Sequence, residues 1–186
     1  MSMMDYAGPV SLKHAALGLL SFGPASGYDL LQTFRESLAN VWPATQSQLY
    51  GELGKLADAG LVTVAAEGPR GRKEYAITPE GTAELRHWLG EVRPAPTRRS
   101  EMLLRVFFLG MLTPEQAEDY LRGRATVAAE QQAELRKLDE TIDPDEGPLA
   151  TYGRLALEWA LRYSAMQQDW AAWAIDELHR TQQPKD

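Results

Sequence analysis

Between Thr45 and Lys73 the chain gathers hydrogen-bonding and cationic side chains: Thr45, Gln46, Ser47, Gln48, Tyr50 and Lys55, then Arg70, Arg72 and Lys73. None of them makes a nucleophile motif, a metal-ligand set or a carboxylate pair. Amides, hydroxyls and cations together suit a polyanion such as double-stranded DNA. Ser47 and Gln48 can reach base edges, with Gln able to pair bidentately with adenine, while Tyr50 and Lys55 suit phosphate oxygens. Elsewhere the parts for catalysis are missing. The sequence holds no cysteine, so thiol nucleophiles and thiolate metal sites are excluded. His14, His87 and His179 share no ligand spacing, and no phosphate loop or nucleophile motif occurs. The expectation is no catalytic residue, no metal, no cofactor, and hence not an enzyme.

Those side chains need a helix and a hairpin to present them. PATQSQLYGELGKLADAGL, from Pro43 to Leu61, reads as one helix. Thr45 and Gln48 have capping-box spacing. Leu49, Leu53 and Leu56 share one face, and Gly60 stands where a left-handed residue would end the helix. At about 100° per residue, Ser47, Gly51, Gly54 and Lys55 fall opposite the leucines, with Gln48 and Tyr50 on the flanks. Two exposed glycines each weaken a helix by about 1 kcal/mol relative to Ala; close approach of a duplex backbone would account for them, and so would neutral drift. Beyond Gly60, Leu61 to Val64 is β-branched and strand-like, and Glu74 to Ile77 alternates as its antiparallel partner. Gly68-Pro69-Arg70-Gly71-Arg72-Lys73 between them makes a hairpin with a basic tip, a wing, suited to minor-groove or phosphate contact, with a solubilising tip as the alternative.

Upstream, Ser11 can cap LKHAALGLLSF, in which Leu12, Ala15, Ala16, Leu19 and Leu20 form an apolar face. Gly23-Pro24 breaks it. Ser26 caps GYDLLQTFRESLAN, with Asp29 at the third position and Tyr28, Leu31, Phe34 and Leu38 at helical spacing. Trp42-Pro43 ends that segment shortly before Thr45, and two helices so joined make a helix-turn-helix. After the hairpin, Thr78-Pro79 opens a fourth helix whose buried side is Leu85, Trp88 and Leu89. The pattern stops at Arg93-Pro94-Ala95-Pro96. The predicted fold is mainly α: a winged helix-turn-helix DNA-binding domain over residues 1–92 with a two-stranded wing, then an all-helical dimerisation and effector domain over residues 93–186.

In that second part Ser100 restarts a helix in which Met102 to Leu104 and Val106 to Leu109 are apolar all round, and such a helix is expected to be buried on every side. Thr113-Pro114-Glu115-Gln116 is another capping box, opening a helix to about Ile142. Ala117, Leu121, Arg124, Ala128, Gln131, Leu135, Leu138 and Ile142 form a heptad seam along it. A turn over Asp143 to Pro148 leads to a helix from about Leu149 to Arg180. Tyr152, Ala156, Trp159, Tyr163, Met166, Trp170 and Trp173 repeat along that helix, while Leu157, Leu161 and Ile175 lie on another face. One intramolecular partner buries one seam, so the other predicts a homodimer through the C-terminal helices. Core or dimer packing is the ordinary use of such aromatics. The alternative use is stacking on a small aromatic effector, with Trp88, Trp159 and Tyr163 as the candidate residues.

With 186 residues, 44% of them hydrophobic, the chain can bury a sizeable core. Its net charge is −7. Seven Lys/Arg face nine Asp/Glu in residues 1–90, and twelve face seventeen in residues 91–186. An acidic whole gives no general affinity for nucleic acid, so duplex binding has to come from a local patch. MSMMDYAGPV lacks the basic and apolar regions of a secretory signal. The apolar run Met102 to Leu112 is interrupted by Arg105 and too short for a bilayer. A cytoplasmic protein with no membrane partner is expected.

LKHAALGLLSFGPASGYDLL, SQLYGELGKLADAGLV and GRKEYAITPEGTAELRHWL together resemble the PadR family of bacterial transcriptional regulators. The Tyr50 to Leu61 spacing and the Arg72-Lys73-x-Tyr75 wing are the specific parts. MLLRVFFLGMLTPEQAEDYL and the Trp-rich helix resemble the subfamily with the longer C-terminal helical domain, so the likeness covers about residues 11–178. Gly51 departs from it, since the family often has Pro there. The resemblance implies a dimeric winged helix-turn-helix regulator, usually a repressor, on double-stranded operator DNA. In some relatives it implies release by a phenolic acid or another small aromatic compound. Two alternatives stand beside it. A winged-helix protein–protein adaptor suits the acidic charge; a MarR-like ligand-responsive regulator is disfavoured because the winged region begins near residue 11, leaving no N-terminal dimerisation helix.

Overall fold

The computed structural model describes residues 10–37, 44–68, 71–94, 100–141 and 148–182. The chain is mainly helical: α1 (Val10–Leu20), β1 (Ala25–Ser26), α2 (Gly27–Ser37), α3 (Gln46–Asp58), β2 (Val62–Glu67), β3 (Lys73–Ile77), α4 (Pro79–Gly90), α5 (Glu101–Phe107), a 3₁₀ turn at Leu109–Met111, α6 (Pro114–Thr141) and α7 (Pro148–Gln182). It divides into two compact units, Met1–Ala95 and Pro96–Asp186. Among the described residues no helix is long and apolar enough to cross a membrane.

In the first unit the leucine stripe of α3 does what its spacing requires. Leu49, Leu53 and Leu56 are buried against Ala16, Leu17 and Leu20 of α1 and Leu30, Leu31 and Phe34 of α2, with Val62 and Leu85 completing the core. Three helix-level expectations are corrected. α1 already runs from Val10, so Ser11 lies inside the helix and does not cap it. α2 buries Leu30 beside Leu31 and Phe34, while Tyr28 is exposed, because the first turn projects beyond the core. On α4, Leu85 is buried and Trp88 half-buried, but Leu89, one residue round the helix, is exposed. Leu38, Trp42 and Pro43 lie outside the described residues.

The wing is a hairpin in which Val62 pairs with Ile77, Thr63 with Ala76 and Val64 with Tyr75; a bulge between Val64 and Ala66 then shifts Ala66 onto Glu74. A third strand, not expected, joins the other edge of β3 through Ala25–Tyr75 and Ser26–Glu74. Two residues carry no periodicity to read, yet this short strand fixes the start of α2 against the wing. The passage from α3 to β2 turns on Gly60, whose φ of +71° is the left-handed conformation its position demands. Thr78 caps α4, its hydroxyl accepting from Gly81 N–H at 3.0 Å and donating to Gly60 O at 2.8 Å.

In the second unit α6 and α7 pack antiparallel, as three cross-contacts show. Glu118 meets His179, Arg124 Nη2 donates to Gln167 Oε1 at 3.4 Å, and Gln132 Nε2 donates to Leu161 O at 3.3 Å. Ala117, Leu121, Ala128 and Leu135 are buried on α6, facing a seam of Leu157, Ser164 and Ala171 on α7. Gln131, expected in the seam, is exposed; the interhelical amide bonds are made by its neighbour Gln132, which also accepts from Gln168 Nε2. Ile142 and the turn to residue 147 lie outside the described residues. The expectation that α5 is buried on every side is overturned. Leu103, Leu104, Phe107, Phe108, Met111 and Leu112 are exposed, and of this region only Leu109 is buried. An element apolar all round needs cover all round, and within this unit the chain supplies it on one side. The aromatic row of α7 is likewise largely uncovered: Tyr152, Trp159, Tyr163, Met166 and Trp173 are exposed, while Trp170 is half-buried against Leu109, Ala117 and Leu121.

Gly81 is a position where only glycine fits, since a Cβ there would lie 2.1 Å from the Leu61 carbonyl oxygen. Gly81→Ala is therefore expected to destabilise the chain by about 2 kcal/mol or more, the range of core overpacking. Urea unfolding followed by circular dichroism checks this; a midpoint within error of the parent contradicts the close approach.

Candidate nucleic-acid interface

The outer face of α3 is built from its cap onward. Thr45 Oγ1 accepts from Gln48 N–H at 3.3 Å, while Gln48 Oε1 accepts from Thr45 N–H at 2.9 Å and from the Thr45 hydroxyl at 3.0 Å. The reciprocal cap read from sequence is thus formed. It also has a consequence for recognition. Bidentate pairing with adenine needs both ends of the Gln48 amide, and the cap engages the oxygen twice, leaving the nitrogen end. Gln46 and Ser47, exposed on the same turn, make no side-chain hydrogen bond among the described residues. Gly51 and Gly54 are exposed, and a Cβ on either would meet open space. Nothing among the described residues requires glycine there.

Tyr50 closes against the start of α2. A Cβ added at Gly27 would stand 2.8 Å from the Tyr50 ring, so glycine lets the phenol lie flat on the α2 backbone while 42% of the residue stays exposed. Tyr28, next in α2, is 66% exposed. Sequence periodicity assigned it to the buried row; the signal that could have placed it outside was its position in the first turn, directly after the cap.

The wing reaches the same place. Its tip closes through Gly68 N–H donating to Arg72 O at 2.7 Å, with Gly71 at φ +76°. Arg72 Nη2 donates to Asp29 Oδ2 at 2.6 Å. That oxygen also accepts from the Ser26 hydroxyl at 2.7 Å and from Ser26 N–H at 3.3 Å, and Ser26 is buried. The Ser26 hydroxyl, and after it the Arg72 guanidinium, hold the Asp29 carboxyl below its ordinary range. Lys73 is exposed on β3, paired across the ladder with Glu67. Arg70 lies outside the described residues. On α3, Lys55 is joined to Glu52 at 3.2 Å. Among the described residues the surface thus carries its cations beside carboxylates.

The three candidate effector contacts divide between the units. Trp88 is half-buried and stacks on His14, ring centroids 4.4 Å apart. His14 Nε2 and Lys13 Nζ both meet Glu84 Oε1, at 3.2 and 2.6 Å, and these bonds, Lys13 first, lower the Glu84 pKa. Trp159 and Tyr163 belong to α7, where they stack on each other at 5.1 Å and remain exposed. Among the described residues no group of His, Asp or Glu could hold a metal ion.

Residues 16–87 match the "Transcriptional regulator PadR-like family", and residues 98–179 match "Virulence activator alpha C-term". The chain is similar to the negative transcriptional regulator PadR of Bacillus subtilis, 36% identical over 141 residues that span 72% of this chain and 78% of the relative. Crystal structures of that protein with operator DNA (TM-score 0.76) and with p-coumaric acid (TM-score 0.80) are each 30% identical, the likeness covering 90% of this chain and 98% of theirs. The virulence activator AphA of Vibrio cholerae gives a TM-score of 0.78 at 26% identity, over 92% of this chain and 99% of that one.

The Gln48 cap sets a test of its own. Gln48→Ala removes the reciprocal half of the capping box and is expected to destabilise the chain by about 1 kcal/mol. Gln46→Ala, two residues earlier and exposed, is expected to change stability by less than about 0.5 kcal/mol. Equal losses in thermal unfolding for the two variants contradict the division of roles.

Proposed function

The chain belongs to the PadR-like family of transcriptional regulators, and from that premise we propose that it binds double-stranded operator DNA as a homodimer and represses the adjoining genes. The observation that carries the reading is the meeting of α3, the start of α2 and the wing: Tyr50 lies against Gly27, Arg72 holds Asp29, and the exposed Tyr28 stands between them in sequence. In this reading residues 1–92 bind DNA and residues 93–186 supply dimerisation and response to an effector. Thr45, Gln46, Ser47 and the nitrogen end of Gln48 face base edges in the major groove. Tyr50, Tyr28 and Lys55 meet phosphate oxygens, and Arg70, Arg72 and Lys73 follow the neighbouring groove or backbone. Two copies of α3 about 34 Å apart would meet successive turns on one face of the duplex. The uncovered apolar residues of α5 and the aromatic row of α7 support the second protomer, since a face of that kind is costly to leave in water.

The Bacillus subtilis relative was solved with p-coumaric acid, which supports a phenolic acid as the releasing effector here, stacked on Trp88, Trp159 or Tyr163. Release needs the acid to bind one arrangement of the dimer more tightly than the DNA-bound one. The adaptor reading loses its support, because a charge of −7 is compatible with a local interface whose cations sit beside carboxylates. Activation is a second reading, favoured by the match of residues 98–179 to the virulence activator C-terminal family; a reporter fused to the regulated promoter rises on deletion under repression and falls under activation. The protein is proposed to act in the cytoplasm, without a cofactor, membrane or catalytic step.

A salt-titrated mobility shift on the duplex upstream of the chain's own gene tests the proposal. Binding is expected to weaken steeply with salt, and Arg72→Ala to lower the slope of log affinity against log salt by about 1. Millimolar p-coumaric acid is expected to quench tryptophan fluorescence and release the duplex. Salt-independent association contradicts DNA binding, an unchanged Arg72→Ala slope removes the wing, and unquenched fluorescence removes the phenolic effector.

A further inference from the structure

Arg72 is the wing cation whose placement the structure describes most fully, and it does not stand alone at the surface. Its guanidinium uses one nitrogen, Nη2, on Asp29 Oδ2 at 2.6 Å. No hydrogen bond engages Nε or Nη1 among the described residues. Asp29 is itself fixed. Its Oδ2 takes the Ser26 hydroxyl and Ser26 N–H, its own N–H returns to Ser26 Oγ at 3.2 Å, and Ser26 is buried where β1 pairs with β3 opposite Glu74. A buried strand residue thus anchors a carboxylate, and the carboxylate anchors a cation at the foot of the wing tip.

We propose that Asp29 is a positioning residue for DNA binding: it holds one edge of the Arg72 guanidinium so that the other edge faces a phosphate beside Tyr28 and Tyr50. The proposal rests on the DNA-binding reading above. It runs against simple electrostatics, under which an exposed carboxylate at a duplex-binding surface only repels. Arg suits the arrangement because its planar fork carries donors on separate edges, so one can serve a carboxylate and another a phosphate. A long side chain held in place before binding loses less freedom when it binds. The pair is exposed on both sides, 60% for Arg72 and 47% for Asp29, so its effect is that of a surface ion pair and is measured in small factors.

A double-mutant cycle on the duplex upstream of the chain's own gene tests it, with Asp29→Asn, Arg72→Ala and the pair read by fluorescence anisotropy at one salt concentration. Asn keeps an acceptor for Ser26 N–H and leaves Arg72 at most a neutral hydrogen bond in place of the ion pair, and thermal unfolding of each variant reports the state of α2. Asp29→Asn is expected to weaken binding about two- to fivefold in the parent and to have no effect in the Arg72→Ala background. Tighter binding on Asp29→Asn makes the carboxylate merely repulsive and overturns the proposal. Equal weakening in both backgrounds assigns the effect to the start of α2 and also overturns it, as does no change. A parent that shows no salt-dependent binding to this duplex overturns the DNA reading itself, a result separate from every outcome of the cycle.

Discussion

One burial decision governs the first unit: Leu49, Leu53 and Leu56 are taken out of water against α1 and α2. Three buried leucines at roughly 2 kcal/mol each outweigh two exposed glycines costing about 1 kcal/mol each, so α3 holds as a helix in spite of Gly51 and Gly54. The stripe also fixes rotation about the helix axis. Once the leucines point inward, Ser47, Gly51, Gly54 and Lys55 must point outward, and Gln48 and Tyr50 must lie at the edges. The polar outer face is what the core leaves over. Its chemistry is set by the outward residues, but its direction is set by the inward ones.

Charge is distributed by a comparable economy of placement. The winged unit cannot present a large positive field, because its acids outnumber its bases. It brings cations and carboxylates together instead, Lys55 with Glu52 and Arg72 with Asp29. Such a surface has weak pull at a distance, and what it binds depends on contact geometry. The second unit shows the complementary arrangement. Its intramolecular seam is narrow, built on Ala117, Leu121, Ala128 and Leu135 against Leu157, Ser164 and Ala171, and it leaves the largest apolar side chains of α5 and α7 uncovered.

Much of the winged unit was legible in the sequence because its signals are local. The Thr45–Gln48 cap, the left-handed Gly60, the Thr78-Pro79 start of α4 and the hairpin between Val62 and Ile77 each follow from a few neighbouring residues. What escaped was long-range. β1 is two residues long and exists only through its pairing with β3; Tyr28 has the spacing of a core residue but stands beyond the core; and the Asp29–Arg72 bond joins positions with no pattern linking them. In α5 the sequence signal was real but its partner was misjudged: the composition says cover is needed, not which chain provides it. On α6 the seam keeps its heptad register through Leu135, and at Gln131 alone the polar side chain turns out to water while Gln132 makes the amide bonds.

The central claim is that the outer face of α3 lies against the duplex. The absence of cysteine makes a direct measurement available, because Ser47→Cys would carry the only thiol and can be tethered to a hydroxyl-radical-generating iron chelate. The account predicts cleavage of the upstream duplex at two loci related by the dyad of the operator. Cleavage from a Trp173→Cys tether on α7, with none from Ser47→Cys, would contradict it.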